Sequence, residues 1–231
     1  MKLIIAYILT SITVFAGLES PFASSVDGLT INNSHYLNED KSVIRGQAPN
    51  GKFEELIEFG ITDILIFKNQ TRDEIDREID QISSTNINYK QIDFVWRDIN
   101  DFENACHQVI NAIDYIKQVE VSRGKIFFHC TVGEDRTGVL SGIYELLKNP
   151  SKNKYEIFNE DMCERGYAEG NPHKPKYVTG KIHQSLSPLF FAMVDYIQSH
   201  GIDYHNISKE KSNLCGNLKM KKFIKRNYYC K

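Results

Sequence analysis

The stretch KIFFHCTVGEDRTG, residues 125–138, decides how this chain folds. It opens with a short apolar run at residues 126–128, which is typical of a buried strand. Cys130 follows this run, and Gly133 permits a backbone turn that residues with side chains resist. A helical pattern then begins at Arg136. The stretch is therefore predicted to form a strand, a tight loop and the first turn of a helix.

A loop of this kind points successive backbone N–H groups inward, with the positive end of a helix dipole behind them. Arg136 adds a planar fork that can hold two oxygens of a phosphate group. The same surroundings favour the thiolate form of Cys130. A thiolate that faces an anion hole predicts attack on phosphorus and a cysteinyl-phosphate intermediate.

The pattern in which His129 and Cys130 are followed, after five residues, by Arg136 and Thr137 resembles the signature of the cysteine-dependent protein tyrosine and dual-specificity phosphatases. The ending GEDRTG also resembles the GKDRTG loop of secreted bacterial tyrosine phosphatases, with Glu134 in place of the lysine. We expect Thr137 to donate its hydroxyl to the thiolate and the ring of His129 to support the loop. The predicted substrate-binding residues are His129, Thr131, Val132, Gly133, Glu134, Asp135 and Thr137.

The leaving alkoxide needs a proton from a carboxylic acid on a loop that faces the cysteine. The triplet Trp96, Arg97 and Asp98 resembles the W-P-D loop of tyrosine phosphatases, with arginine in place of proline. Asp135 inside the phosphate loop is an alternative acid, and so is Asp101, although Asp101 is also placed to cap the next helix. Asp98 is the preferred candidate. The predicted catalytic residues are Cys130, Arg136 and Asp98.

Apolar runs alternate with helical patterns up to the loop, which predicts an α/β fold. We expect a central, mostly parallel sheet flanked by helices, with the active site at the carboxyl end of a strand. Residues 43–45 are predicted to form an edge strand. They lie in the segment SVIRGQAP, which resembles the opening of compact dual-specificity phosphatases, so Arg45 either lies near the site or is a solvated strand-end arginine. Further on, helical patterns at residues 155–165 and 188–199 flank a loop predicted over residues 166–180.

The N-terminal residues 1–25 differ from the rest of the chain. Lys2 precedes an apolar segment that, at about 14 residues, is short of the roughly 20 that a membrane-spanning helix needs. Small residues follow it, which predicts a signal peptide cleaved after Ala16 or near Ser25. We therefore expect a secreted or periplasmic protein. After the signal peptide, a flexible lead-in is predicted at residues 26–41, a phosphatase catalytic domain at 42–200 and a basic C-terminal extension at 201–231.

The composition is that of an ordinary globular protein, with a formal net charge of −2 and 41% hydrophobic residues, and gives no sign of nucleic-acid binding. The basic run at residues 219–226 is suited to contact with acidic lipid or an acidic partner, although a solvated helix face is the favoured interpretation. Of five cysteines, four are able to form two disulfides if Cys130 stays free. Cys215 with Cys230 is the most attractive pair, and unpaired thiols are the alternative.

The resemblance implies a phosphatase that acts on phosphorylated proteins without a metal or organic cofactor. We expect phosphotyrosine as the preferred substrate and phosphoserine or phosphothreonine as secondary ones. Glu134 and Asp135, beside the anion hole, would repel the additional phosphates of an inositol ring. A phosphatase of inositol phosphates or phosphoinositides is the first alternative, and a phosphate-binding module without turnover is the second.

Overall fold

A computed structural model describes residues 19–218 and 229–230 of the chain. Its sheet has five strands in the order β1-β2-β5-β3-β4, and all neighbours are parallel except β1 and β2. The α/β class and the mostly parallel sheet are therefore confirmed. The strands are β1 (His35–Tyr36), β2 (Val43–Gly46), β3 (Asp63–Phe67), β4 (Asn88–Ile92) and β5 (Ile126–His129).

Helices cover both faces of this sheet. Strands β3 and β5 are buried along their whole length, as expected for parallel strands between two helical layers. The helices are α1 (Phe53–Glu58), α2 (Glu74–Ser83), α3 (Phe102–Val121), α4 (Asp135–Lys148), α5 (Lys154–Glu156), α6 (Lys176–Gln184), α7 (Leu186–Ser199) and α8 (Ile207–Gly216). A π-helical turn at Ile157–Met162 and a 3-10 turn at Cys163–Arg165 continue α5, and a further 3-10 turn forms at Ala168–Gly170.

The N-terminal part of the fold corrects two predictions. Strand β2 is not an edge strand, because β1 pairs with it on the side opposite β5. Residues 26–41 are not a flexible lead-in: Val26, Leu29 and Ile31 are buried in the apolar core that α1 and α2 form on one face of the sheet. The prediction relied on the polar, Asn-rich composition of this segment and overlooked its three apolar side chains, which cover that core.

The second half of the chain also departs from expectation. Residues 166–180 are only partly a loop, because they contain the 3-10 turn and the beginning of α6. Helix α8, in the region predicted to be a C-terminal extension, packs against α3 as part of the main core. The predicted pairing of Cys215 with Cys230 is wrong. The disulfides join Cys106 to Cys215 and Cys163 to Cys230, and Cys130 is free.

The apolar segment of the predicted signal peptide and the basic run at residues 219–226 lie outside the described residues. Within the part of the chain that is described, no helix is both long and apolar enough to cross a membrane.

Candidate active site

The loop that joins β5 to α4 lies at the carboxyl end of the parallel strands. Strand β5 ends at His129, which stands level with Gly46 of β2 and Ile66 of β3. Helix α4 begins at Asp135, so the loop occupies residues 130–134. The predicted order of strand, tight loop and helix N-terminus is confirmed, and ligands of parallel α/β sheets bind at this edge.

The carbonyl groups next to the nucleophile are held on the outer side of the loop. The carbonyl oxygen of Cys130 lies 2.8 Å from Nδ1 of His129, and that of Thr131 accepts from the backbone N–H of Ala48 at 3.2 Å. The C=O and N–H of a trans peptide point in opposite directions. The N–H groups of Thr131 and Val132 therefore point away from these partners, toward the side where an anion would bind.

The next peptide group is fixed in the same way by two buried side chains. The carbonyl oxygen of Gly133 accepts from Nδ2 of Asn33 at 2.9 Å and from the guanidinium of Arg45 at 2.7 Å. The N–H of Glu134 consequently faces the opposite direction. The loop thus presents N–H groups rather than carbonyl oxygens to a bound anion, which is the property of an anion-binding nest.

Gly133 is required by both its conformation and its surroundings. Its φ of +69° lies in the left-handed region, which residues with a Cβ adopt at a cost. A Cβ at this position would come within 2.4 Å of the backbone of Gly46. The loop can therefore approach β2 this closely only with glycine here.

Arg136 is oriented by three oxygen acceptors. One Nη atom donates to Oδ1 of Asn69 at 2.9 Å and to the carbonyl of Phe94 at 3.3 Å, and the other donates to Oγ1 of Thr131 at 3.1 Å. Asn69 was not identified from the sequence as a candidate site residue. Its position two residues after the end of β3, beside β5, was the available signal, because neighbouring parallel strands end at the same edge.

The only free thiol of the chain lies at the base of this loop. Cys130 is 2% exposed. Burial raises the pKa of its thiol and Asp135 raises it further, but the charge of Arg136 and the neighbouring polar groups of Thr137 outweigh both, so the pKa lies below its ordinary value. Arg136 and Thr137 thus both lie close enough to the sulfur to influence its ionisation.

His129 is completely buried and is held from both sides. Besides its contact with the carbonyl of Cys130, its Nε2 lies 2.8 Å from Oε1 of Glu78. Glu78 in turn forms an ion pair with Lys68 at 3.1 Å. Neither Glu78 nor Lys68 was predicted from the sequence. Glu78 lies at the spacing of Ile75 and Ile82 on the buried face of α2, and an acid in such an apolar stripe was the signal that could have identified it.

The side chains of Glu134 and Asp135 are engaged by the chain itself. Glu134, 1% exposed, accepts from the hydroxyl of Ser20 at 2.8 Å and pairs with Lys174 at 3.0 Å. Asp135 pairs with the same ammonium group at 2.5 Å and accepts from the backbone N–H of Ala168 at 3.0 Å. Burial raises the pKa of Glu134, although the charge of Lys174 opposes this. The two acids therefore share one buried cation that the sequence analysis did not foresee.

The candidate acids occupy different environments. Asp98 lies on the loop after β4 with its side chain 60% exposed, and its Oδ1 accepts from Nζ of Lys181 on α6 at 2.7 Å. This hydrogen bond, together with the charge of Lys181, lowers the pKa of Asp98. Asp101 is the N-cap of α3 and accepts from the backbone N–H of Asn104 at 2.9 Å, which confirms the capping role. Asp98 and Asp101 are both exposed to solvent, whereas the side chain of Asp135 is mostly buried.

Arg45 is neither exposed nor at a solvated strand end. Its guanidinium is fully buried beneath the loop, where it binds the carbonyl groups of Gly133 and Asp161 and the hydroxyl of Ser141. Burial lowers its pKa to about 10 despite the opposing charge of Cys130. Arg45 therefore supports the loop from below.

The assembled site combines a nucleophile, a nest of N–H groups and a fixed guanidinium around the same point. Such a site binds a tetrahedral dianion and stabilises the equatorial oxygens of a phosphoryl group in transfer. A thiol with a lowered pKa at its base supplies the attacking atom. These are the requirements of a phosphatase that works through a covalent thiophosphate.

Comparisons with two solved structures of one protein show the same fold. The chain is similar to TpbA from P. aeruginosa, with a TM-score of 0.51 and 16% identity over 78% of this chain and 97% of that one. A variant of TpbA in complex with pTyr gives a TM-score of 0.51 and 16% identity over 79% and 98%. The core catalytic domain of the PP-IP phosphatase Siw14 from S. cerevisiae, in complex with citrate, gives a TM-score of 0.47 and 18% identity over 74% and 93%.

A search of curated proteins finds no significant match. A family model described as the tyrosine phosphatase family matches residues 33–153, which is more than half of the 231 residues. The matched range includes every strand of the sheet, the nucleophile and the arginine of the loop. The protein is thus a phosphatase of the cysteine-dependent superfamily, and the chain belongs to the tyrosine phosphatase family.

Proposed function

We propose that this protein hydrolyses phosphotyrosine in proteins through a cysteinyl-phosphate intermediate, with phosphoserine and phosphothreonine as secondary substrates. One observation carries the proposal. The single free cysteine has a lowered thiol pKa and lies at the base of a loop in which three carbonyls are held outward, beside a fixed arginine.

The first step transfers the phosphoryl group to sulfur. The thiolate of Cys130 attacks phosphorus, the S–P bond forms and the bond from phosphorus to the leaving oxygen breaks. The loop N–H groups and the guanidinium of Arg136 hold the three equatorial oxygens. Asp98 gives its proton to the leaving oxygen, so that a neutral alcohol or phenol departs.

The second step returns the enzyme to its starting state. The carboxylate of Asp98 takes a proton from a water molecule, whose oxygen attacks phosphorus while the S–P bond breaks. The hydroxyl of Thr137, one of the groups that lower the pKa of the thiol, stabilises the departing thiolate. Phosphate is released and Cys130 is again a thiolate.

The choice of substrate rests on the family and on charge near the site. Glu134 and Asp135 oppose additional phosphates, but their ion pairs with Lys174 leave one net negative charge where two free carboxylates were expected. This observation weakens the electrostatic argument against a polyphosphorylated inositol ring. Membership of the tyrosine phosphatase family is therefore the stronger support for phosphotyrosine, and the inositol phosphate class is kept as the second candidate.

Two disulfides support the proposal that the protein is secreted or periplasmic, since such bonds persist in oxidising compartments. Within this proposal, signal-peptide cleavage after Ala16 is preferred to cleavage near Ser25, because it keeps Ser20 in the mature protein. Cleavage near Ser25 would remove Ser20, whose hydroxyl binds the buried Glu134.

The experiment is a comparison of kcat/KM for phosphotyrosine, phosphoserine and phosphothreonine peptides and for an inositol ring with several phosphates, using the mature protein. We expect the phosphotyrosine peptides to give the highest value. A clear preference for the inositol ring would establish the second candidate. Absence of turnover on the whole panel by folded protein, with retained phosphate binding, would identify a binding module.

A further inference from the structure

Three ionisable side chains that the mechanism above does not use form a buried cluster that reaches the nucleophile. We call Lys68, Glu78 and His129 the buried triad. Lys68 follows the last residue of β3, Glu78 lies on α2 and His129 ends β5. Their exposed fractions are 3%, 7% and 0%, respectively. The carboxylate of Glu78 lies 3.1 Å from Nζ of Lys68 and 2.8 Å from Nε2 of His129.

Burial of such a cluster has an unfavourable free energy. Removal of charged groups from water costs several kcal/mol for each ion, and an apolar set of similar volume is often equally stable. Residues Ile75 and Ile82 on the same face of α2 show that this surface otherwise packs with apolar side chains. The cluster therefore calls for a role other than stability.

The hydrogen atoms of His129 can be assigned from its neighbours. A carbonyl oxygen only accepts, so Nδ1, which lies 2.8 Å from the oxygen of Cys130, must donate. Burial raises the pKa of Glu78, but the charges and hydrogen bonds of His129 and Lys68 lower it overall to about 2. The ammonium group of Lys68 at 3.1 Å favours the carboxylate form of Glu78, which only accepts. Nε2 of His129 lies 2.8 Å from that carboxylate, in a contact that is not an aligned hydrogen bond. The ring thus lies between two acceptors, and a hydrogen on each ring nitrogen is the arrangement that matches both.

We propose that Glu78 is a positioning residue that keeps His129 doubly protonated and fixed against the carbonyl of Cys130, and thereby sustains the reactive thiolate. The cation lies one residue before the sulfur, and its contact with the carbonyl holds the first peptide of the loop in the orientation that binds anions. The inference deepens the proposed function and rests on it for its catalytic meaning. Thiol reactivity tests it without any substrate.

Other charged groups also face the sulfur and remain in place in the test. Arg136 and Asp135 face it from α4, and the buried Arg45 faces it from β2. Lys68 keeps a second carboxylate, Glu74, at 4.0 Å when Glu78 is replaced. The variant Glu78→Gln therefore changes one charge of the buried triad and retains nearly the same side-chain volume.

The direction in which Glu78→Gln changes the reactivity of Cys130 distinguishes the proposal from a direct electrostatic effect of Glu78 on the thiol. If Glu78 acted only as a nearby negative charge, its removal would make the thiolate more stable and Cys130 more reactive at low pH. If it acts through His129, its removal lets the imidazolium lose a proton, and the thiolate loses a cation. The proposal therefore requires a less reactive cysteine at low pH.

The experiment measures the rate of alkylation of Cys130 by iodoacetamide as a function of pH. The other four cysteines are disulfide-bonded, so the reagent reports on this thiol alone. In Glu78→Gln we expect the rate at about pH 6 to fall roughly tenfold, the order expected for loss of one charge near a titrating group. At high pH, the alkylation rates of Glu78→Gln and the wild type are expected to converge. A profile that matches the wild type, or moves to lower pH, in folded protein overturns the proposal.

Glu120→Gln is the matched control, because Glu120 also accepts from several side chains in a largely buried site, yet it contacts Tyr144, Tyr204 and Lys148 instead of the loop. This control is expected to lose stability and keep the alkylation profile. A measurement on the unmodified protein covers the case in which Glu78→Gln does not fold. In ¹⁵N spectra, assigned with His129→Gln, both ring nitrogens of His129 are expected to carry protons near neutral pH. A neutral ring overturns the proposal.

Discussion

The guanidinium of Arg45 donates to the carbonyl oxygen of Gly133 at 2.7 Å from a position that solvent does not reach. The contact turns the next N–H toward the anion site. A buried side chain beneath the loop therefore sets the orientation of an N–H group that faces the bound anion. We expect Arg45→Met to weaken the binding of vanadate, a phosphate analogue, by about tenfold, or 1.4 kcal/mol. Titration calorimetry measures this affinity. Asn33→Ala, which removes the other donor to the same oxygen, should give a smaller loss, and equal affinities in all three proteins would contradict the argument.

Replacement of the nucleophile separates binding from turnover. Cys130→Ser should abolish hydrolysis and keep the binding of a phosphotyrosine peptide, since the N–H groups and Arg136 remain in place. Steady-state kinetics and calorimetry on the same preparation measure the two properties. Near-normal hydrolysis by this variant, free of contaminating phosphatase, would rule out the covalent mechanism.

The general acid can be identified by its dependence on the leaving group. Asp98→Ala should slow the hydrolysis of phosphotyrosine peptides by about 10²–10⁴-fold, the usual contribution of a positioned acid, while an aryl phosphate with an activated leaving group is affected far less. Asp101→Ala is the comparison within the same loop and should lose helix capping without this selectivity. If Asp135→Asn shows the selective loss instead, the acid lies in the phosphate loop.

The ion pair between Asp98 and Lys181 predicts a change in pH dependence. Lys181 lowers the pKa of Asp98, so the pair contributes stability above the ordinary pKa of an aspartate and loses it as the pH falls through the lowered value. Lys181→Ala should raise the pKa of Asp98 and keep it protonated to higher pH. For peptide substrates, the alkaline limb of the kcat profile should therefore move upward in pH. An unchanged profile would show that Asp98 leaves Lys181 when substrate binds.

The disulfides predict a redox-dependent stability. The bond between Cys106 and Cys215 spans 109 residues, and a loop of this length corresponds to about 4–5 kcal/mol in the chain-entropy model. Reductant should lower the melting temperature, and intact mass after alkylation should rise from one modified cysteine to five. A single modified cysteine in both states would show that the bonds resist the reductant, and five in both would show that they are absent.

The sequence was sufficient for the parts of the site that are close together along the chain. The apolar run at residues 126–128 predicted strand β5, and the loop motif predicted the nucleophile, the turn at Gly133 and the beginning of α4. These features depend on local backbone preferences and on the spacing of a few residues. For the same reason the cap of α3 at Asp101 was predicted correctly.

The residues that support the loop could not be predicted in this way. Asn33, Asn69 and Lys174 reach it from distant parts of the chain, and their partners follow from the order of strands and the packing of the later helices. The prediction of the disulfide pairing was wrong for the same reason, since Cys106 comes close to Cys215 only when α8 packs on α3. A two-residue strand such as β1 carries too few residues for any periodicity to show.

The buried pair of Ser20 and Glu134 joins residues 114 positions apart, and the bond between Cys163 and Cys230 joins residues 67 apart. Glu134 and Cys163 therefore both have partners far away in the chain: Ser20 precedes the phosphate loop, and Cys230 is synthesised well after it. Contacts between such distant residues form slowly. A nascent chain thus carries the nucleophile before Cys230 is available, and the bond to Cys163 forms only later, by oxidation.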